Sequence, residues 1–255
     1  MIITPQITTA GLIGLIFLIV MIISMAVFAF RGRKKMANPF RPIPAFQKLA
    51  HAIGLSVEAG TRLHLTLGRG SLSGIEGASA VVGLNILERV ARTASISDKP
   101  PIATSGDATL GILSQDVLYN SFRSIGASGT YDPGFGQVSG LTPFAYAAGT
   151  LPTIFDEHVS TTLLAGNFGS EVAIITDGSE RVGAMTLAGS DNLPAQAVLF
   201  AAAQEPLIGE ELYAAGAYLK SGPIHVASLR AQDLLRWVII LSILLGSILK
   251  FFGIL

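Results

Sequence analysis

Hydrophobic and polar positions divide the chain into three zones. Ala10 to Phe30 is a run of 21 residues without a charge, and Leu234 to Leu255 is a run of 22 residues whose only charges are Arg236 and Lys250. At about 1.5 Å per residue, a helix of such length spans roughly 31 Å, which matches bilayer hydrocarbon. Each run therefore predicts a transmembrane helix. Between them the pattern changes to short apolar strands alternating with amphipathic stretches, which is the pattern of a folded domain.

The middle zone opens with a basic and proline-rich linker over residues 31–44, ending in Asn38-Pro-Phe-Arg-Pro-Ile-Pro44. Proline biases its predecessor toward extended backbone. Phe46, Leu49, Ile53 and Val57 then recur at helical spacing, predicting an amphipathic helix that ends near Gly60. From there a strand–turn–helix unit repeats. Leu63–Leu67 runs into Gly68-Arg-Gly-Ser-Leu-Ser-Gly74 and a helix from about Glu76 to Ala94. Pro101–Ser105 runs into Gly106-Asp107 and a helix from Ala108 to Ile125. Gln137–Leu141 precedes a helix near Pro143, and Thr161–Ala165 leads through Gly166-Asn-Phe-Gly169 to a helix from Glu171. Ala184–Ala188 leads through Gly189-Ser-Asp-Asn192 to a helix over Pro194–Ala203.

Five alternations of this kind predict an α/β fold. The expected form is a doubly wound, mostly parallel five-stranded sheet, Rossmann-like or flavodoxin-like, over residues 45–230. A further helix is expected over Glu210–Leu219, after Pro206-Leu-Ile-Gly209. Val226–Arg236 reads as helix that continues into the second membrane run.

Charge sets the expected topology. Residues 1–9 carry no charged side chain, whereas Arg31, Arg33, Lys34 and Lys35 follow the first run. A cleaved signal would carry its positive charge before the run, so a retained helix is expected. Basic residues beside a membrane helix stay on the cytoplasmic side. Both termini are then extracytoplasmic and the central domain is cytoplasmic, with the chain crossing the cell membrane twice. Arg230 and Arg236 hold the domain side of the second run in the cytoplasm. Arg236 and Lys250 can snorkel to the two interfaces, with Trp237 at one edge and Phe251-Phe252 at the other. A buried core helix or re-entrant segment is the competing reading of this second run. Ala10 and Gly14, and Ser242 and Gly246, stand at the four-residue spacing that lets helices approach closely in lipid. Small residues are also simply common in such helices.

Composition removes several function classes. The chain has no cysteine, so disulfides and thiolate chemistry are excluded. Its four histidines, His51, His64, His158 and His225, form no local zinc motif. Residues 37–230 carry 11 basic and 16 acidic side chains, a net charge of −5, with no basic stripe for nucleic acid.

In parallel sheets ligands bind at the carboxyl ends of strands. The candidate ligand-binding residues there are Gly68, Gly70, Ser71, Gly74, Asp107, Gly166, Asn167, Gly169 and Asp191. The first loop spells G-x-G-x-x-x-G, one residue longer than the common dinucleotide fingerprint, and no Lys-Ser/Thr pair follows as in a P-loop. A phosphate site and a tight strand-to-helix turn both fit it, and the turn is favoured. Asp107 and Asp191 read as helix caps before they read as acid–base groups or metal ligands. Glu210 and Glu211 suit a helix N-terminus. His64, inside the first strand, reads as packed or hydrogen-bonded. No nucleophile–base pair, carboxylate pair or metal cluster emerges from the spacing, and the spacing names no particular cofactor.

A resemblance also runs through the chain. It is carried by Phe40-Arg-Pro-Ile-Pro-Ala-Phe46, Leu63-His-Leu-Thr-Leu-Gly-Arg-Gly70 and Pro206-Leu-Ile-Gly-Glu-Glu-Leu212, with Ala214-Ala-Gly-Ala-Tyr-Leu219 and Ser228-Leu-Arg-Ala-Gln-Asp-Leu-Leu-Arg236. Together these segments resemble an uncharacterised family of membrane-anchored bacterial proteins, a domain of unknown function. The resemblance covers most of the chain and implies the two-anchor layout, without implying an activity. The expected function is a non-enzymatic, self-associating scaffold or small-molecule sensor at the bilayer. The alternatives are a membrane-tethered nucleotide-binding protein or enzyme using the glycine loops, and an accessory subunit of a larger membrane complex.

Overall fold

A computed structural model describes residues 9–32 and 40–253. Met1–Thr8, the basic residues Arg33, Lys34 and Lys35 and the side chain of Ala10 lie outside the described residues. The chain divides into two units, Phe40–Leu219 and the terminal segments up to Pro39 and from Lys220.

The first terminal helix, α1, covers Thr9–Gly32. The α/β unit then begins with α2, Pro44–Ala59. Proline is accommodated in its first turn, and Gly60 ends it at φ 62° with its N–H on the Ser56 carbonyl. Phe46, Leu49 and Ile53 are buried as the periodicity predicts, and Val57 is partly so.

The alternation that follows is β1 (Arg62–Gly68), α3 (Gly77–Ala94), β2 (Ile102–Ser105), α4 (Ala108–Ser124) and β3 (Gly136–Val138). It continues with α5 (Pro143–Asp156), β4 (Val159–Asn167), α6 (Val172–Arg181), β5 (Met185–Ser190), α7 (Leu193–Ala202) and β6 (Glu205–Leu207). A 3-10 turn, Gly209–Glu211, and a short helix α8, Ala215–Tyr218, close the unit.

All pairings are parallel, in the order β3-β2-β1-β4-β5-β6. The α/β sheet and the terminal apolar helices agree with expectation. The strand count is corrected from five to six. The sixth strand, Glu205–Leu207, is too short to show a period, and it carries Pro206, which the sheet tolerates in this edge strand. It takes the place of the lead-in to a helix over 210–219; that helix is instead the 3-10 turn and α8. The third strand sits earlier than expected, and β4 runs on through Gly166 and Asn167, which sequence reading assigned to a loop.

Period-two alternation sends β1 side chains to opposite faces. Leu63, Leu65 and Leu67 join a core with Leu49, Leu87 and Val90, from α2 and α3. On the other face Tyr146, Ile154, Val172, Ile175 and Leu199, from α5, α6 and α7, pack over Leu164 and Ala188. That second face also holds buried polar groups. His64 Nε2 bonds Thr104 Oγ1 at 2.9 Å, and Ser179 Oγ donates to Thr162 Oγ1 at 2.9 Å.

The C-terminal helix, α9, runs unbroken over Pro223–Phe251, as the continuous helical pattern from Val226 predicts. It packs along α1. Both helices are long and apolar enough to cross a membrane, over Gly11–Arg31 and Pro223–Phe251, and both are largely exposed within the molecule. Ser24 is buried on α1, and Ala227, Ala231 and Leu235 form a buried stripe on α9. Gly14 and Gly246 have no atom near an added Cβ within 4 Å, and the Ser242 hydroxyl donates to its own helix at Val238 O, 2.7 Å away.

Candidate functional site

Strand order reverses between β1 and β4, so the loops after these strands flank the crevice where doubly wound sheets take their ligands. Gly68 and Gly70 end and follow β1, while Gly166, Asn167 and Gly169 end and follow β4. The two ends are pressed together. Arg69 N–H donates to the Asn167 carbonyl at 2.9 Å, and Gly106 N–H donates to the Gly68 carbonyl at 2.8 Å. Gly68 adopts φ +75°, and a Cβ there would stand 2.1 Å from Asn167 O. A Cβ at Gly166 would stand 2.0 Å from Leu67 O, and one at Gly70 would meet Asn167 Cβ at 2.9 Å. Gly68 and Gly166 admit a neighbouring backbone, and Gly70 admits the Asn167 side chain.

Glu171 dominates the electrostatics. It stands at the N-terminus of α6, and its side chain is 3% exposed. Its carboxylate accepts the Gly169 N–H at 3.0 Å and the Arg69 Nε–H at 3.0 Å. Burial by itself pushes this carboxyl upward. Hydrogen bonds from the Gly169 and Glu171 backbone and the Arg69 guanidinium outweigh burial and hold it below the usual carboxylate range. A helix N-terminus with converging N–H groups and an arginine is an anion site, and here the chain's own carboxylate fills it.

Neighbouring donors are also engaged. Phe168 N–H and Asn192 N–H both donate to Ser190 Oγ at 3.2 Å. The Gly68 N–H donates to the Tyr146 hydroxyl at 3.1 Å, and that hydroxyl also bonds Thr66 Oγ1. Burial drives the Tyr146 phenol above its ordinary pKa despite these hydrogen bonds, so it stays neutral.

The other expected residues fall as follows. Asp107 caps α4, accepting the Leu110 N–H at 3.0 Å. Asp191 does not cap α7. Asn192 holds the cap position, and Asp191 Oδ1 accepts from Asn167 Nδ2 at 2.8 Å, because β4 and β5 end side by side. Ser71 is engaged with Ser73 at 3.0 Å, and Gly74 has only ordinary contacts. Glu211 accepts the Ile208 N–H at 3.2 Å and pairs with Arg41. Arg69, Tyr146, Glu171 and Ser190 were missed as members of this cluster. Arg69 and Glu171 lie 102 positions apart and Tyr146 and Gly68 lie 78 apart, so no local spacing announces either meeting.

Among the described residues, no group of three or more His, Cys, Asp or Glu is placed to hold a metal ion. His64 is fully buried, and its imidazole is pushed down to about 3 by loss of hydration. It is a neutral core residue.

No curated protein and no solved structure matches the chain. A family model does, over residues 6–255: it describes a domain of unknown function, DUF6754, and the chain belongs to that family.

Proposed function

We propose that the protein is a membrane-anchored α/β scaffold that works by assembly and not by catalysis. In this reading α1 and α9 cross the cell membrane and the α/β unit is cytoplasmic. The length and hydropathy of the two helices support the anchoring. The Arg31 end of α1 supports the orientation.

The observation that carries the non-catalytic part is Glu171. A nucleotide at this crevice would place its phosphate where the Glu171 carboxylate accepts Gly169 N–H and Arg69 Nε–H. Ligand binding would have to expel a buried charge already held by three hydrogen-bond donors, and bring in a second anion beside it.

The test is thermal unfolding of the intact, reconstituted protein with ATP, NAD and FAD. A ligand that binds only the folded state at a hundred times its Kd stabilises it by about 2.7 kcal/mol. The reading expects no saturable rise. A saturable rise with one compound would replace the scaffold with a nucleotide-binding protein.

A further inference from the structure

The two ends of the α/β unit are fastened to each other. Arg41, beside the first residue of the unit, pairs with Glu211 in the 3-10 turn after β6, 170 positions on. The Tyr218 hydroxyl donates to the Arg41 carbonyl at 2.6 Å, and its ring stacks on Phe46 of α2 at 5.2 Å. Lys48 of α2 pairs with Glu205, the first residue of β6. The start of the unit thus holds residues 205–219 in place. Their own local structure holds them weakly. β6 is three residues long, borders only β5, and its Pro206 offers no N–H to the ladder. α8 has four residues, too few to be stable alone. Leu207, Leu212, Ala215 and Leu219 seat the segment in the core together, which makes it close as one piece.

We propose that residues 205–219 form a strap that opens and closes as a unit, latched by Arg41 and Lys48. Both latching cations reach into solvent: Arg41 is 76% exposed and Lys48 59%, while Glu211 and Glu205 are 21% and 14% exposed. Ion pairs with one partner in water are weakened by salt and by competing ions. The four buried side chains keep the strap closed at rest, and the ion pairs set how often it opens. The central strands are held differently, since β1 and β4 are each bordered by strands on both sides. When the strap leaves, the order β3-β2-β1-β4-β5 keeps all its pairings. Opening therefore leaves a five-stranded parallel sheet. It adds fifteen residues to the connection that leads to α9, roughly 50 Å if fully extended. The strap is a release built into that connection, and the inference does not depend on the membrane reading.

The experiment is hydrogen exchange of the intact, reconstituted protein, read by mass spectrometry. Amides of residues 205–219 should exchange together and ahead of those of β1 and β4. Raising salt to about 1 M shortens the screening length to about 3 Å. That should speed exchange of this segment by about threefold or more and leave β1 and β4 unchanged. Arg41→Gln and Lys48→Gln at low salt should each speed the same peptides, by about twofold or more. In the R41Q/K48Q double variant, added salt should have no further effect. Tyr218→Phe keeps the stacked ring and loses the hydrogen bond, and it should also speed these peptides. Exchange of residues 205–219 only in step with β1 and β4 overturns the proposal. So does a segment whose exchange ignores both salt and Arg41→Gln. Salt that still speeds the segment in the double variant places the latch on other residues, and that too overturns it.

Discussion

The Arg69 guanidinium meets the Glu171 carboxylate at 3.0 Å where the strand order of the sheet reverses. The contact joins the loop after β1 to the start of α6, and so ties the two halves of the sheet at their carboxyl edge. Arg69 is 25% exposed and Glu171 is 3% exposed, so the pair is only partly screened by solvent. Glu171→Ala should lower the unfolding free energy by about 2–3 kcal/mol, the range for hydrogen bonds to a buried charge. A double-mutant cycle with Arg69→Ala should return a coupling of about 1–2 kcal/mol. Strict additivity in urea unfolding would show that the two side chains do not stabilise each other.

Acid should act through His64 before it acts through the carboxylates. Its imidazole lies at about 3 in the folded protein against an ordinary 6.5. As pH falls below 6.5 the unfolded chain takes up a proton that the folded chain refuses. The stability is whole above that pH and is lost progressively toward pH 3. At pH 5 the loss is about 2 kcal/mol, at about 1.4 kcal/mol per unit of separation. The Glu171 carboxyl, held below its usual range, adds to the loss only below about 4.5. His64→Gln should flatten the decline between pH 6.5 and 5 in urea midpoints. An identical decline in both proteins would place the acid sensitivity elsewhere.

Two glycines with similar positive φ should respond very differently to a methyl group. Gly60, at φ +62°, has no atom near an added Cβ within 4 Å, so Gly60→Ala bears only the left-handed backbone cost of about 1 kcal/mol. Gly68, at φ +75°, would drive its Cβ into Asn167 O at 2.1 Å. Gly68→Ala should cost about 3 kcal/mol or more, because the β1 and β4 ends must separate. Equal shifts in thermal midpoint would mean that the close approach of the two strands contributes nothing.

These glycines also mark how far the sequence could be read. Its alternation of strands and helices was legible because short, largely apolar segments run into glycine or a small polar residue before each amphipathic stretch. Helix limits followed from Gly60, Asp107 and Pro143, whereas Pro44, read as the end of the linker, is the first residue of α2. β6 was not legible, since its burial falls on Leu207 alone and Pro206 argues against a strand. Gly68 and Gly70 could be placed at a strand end, but the space their missing side chains leave is filled by Asn167, a residue about a hundred positions on. Glu171 read only as the start of a helix. That its carboxylate lies in the anion position depends on the β1 and β4 order, which no local spacing encodes.

The central claim is that Glu171 fills an anion site that would otherwise take a ligand. Chemical rescue tests it most directly: thermal unfolding of the intact wild type and Glu171→Ala in phosphate against chloride at matched ionic strength. The account predicts that phosphate leaves the wild type at its chloride midpoint and returns most of the stability lost by Glu171→Ala, with saturation. Saturable stabilisation of the wild type, or no recovery of the variant, would contradict it.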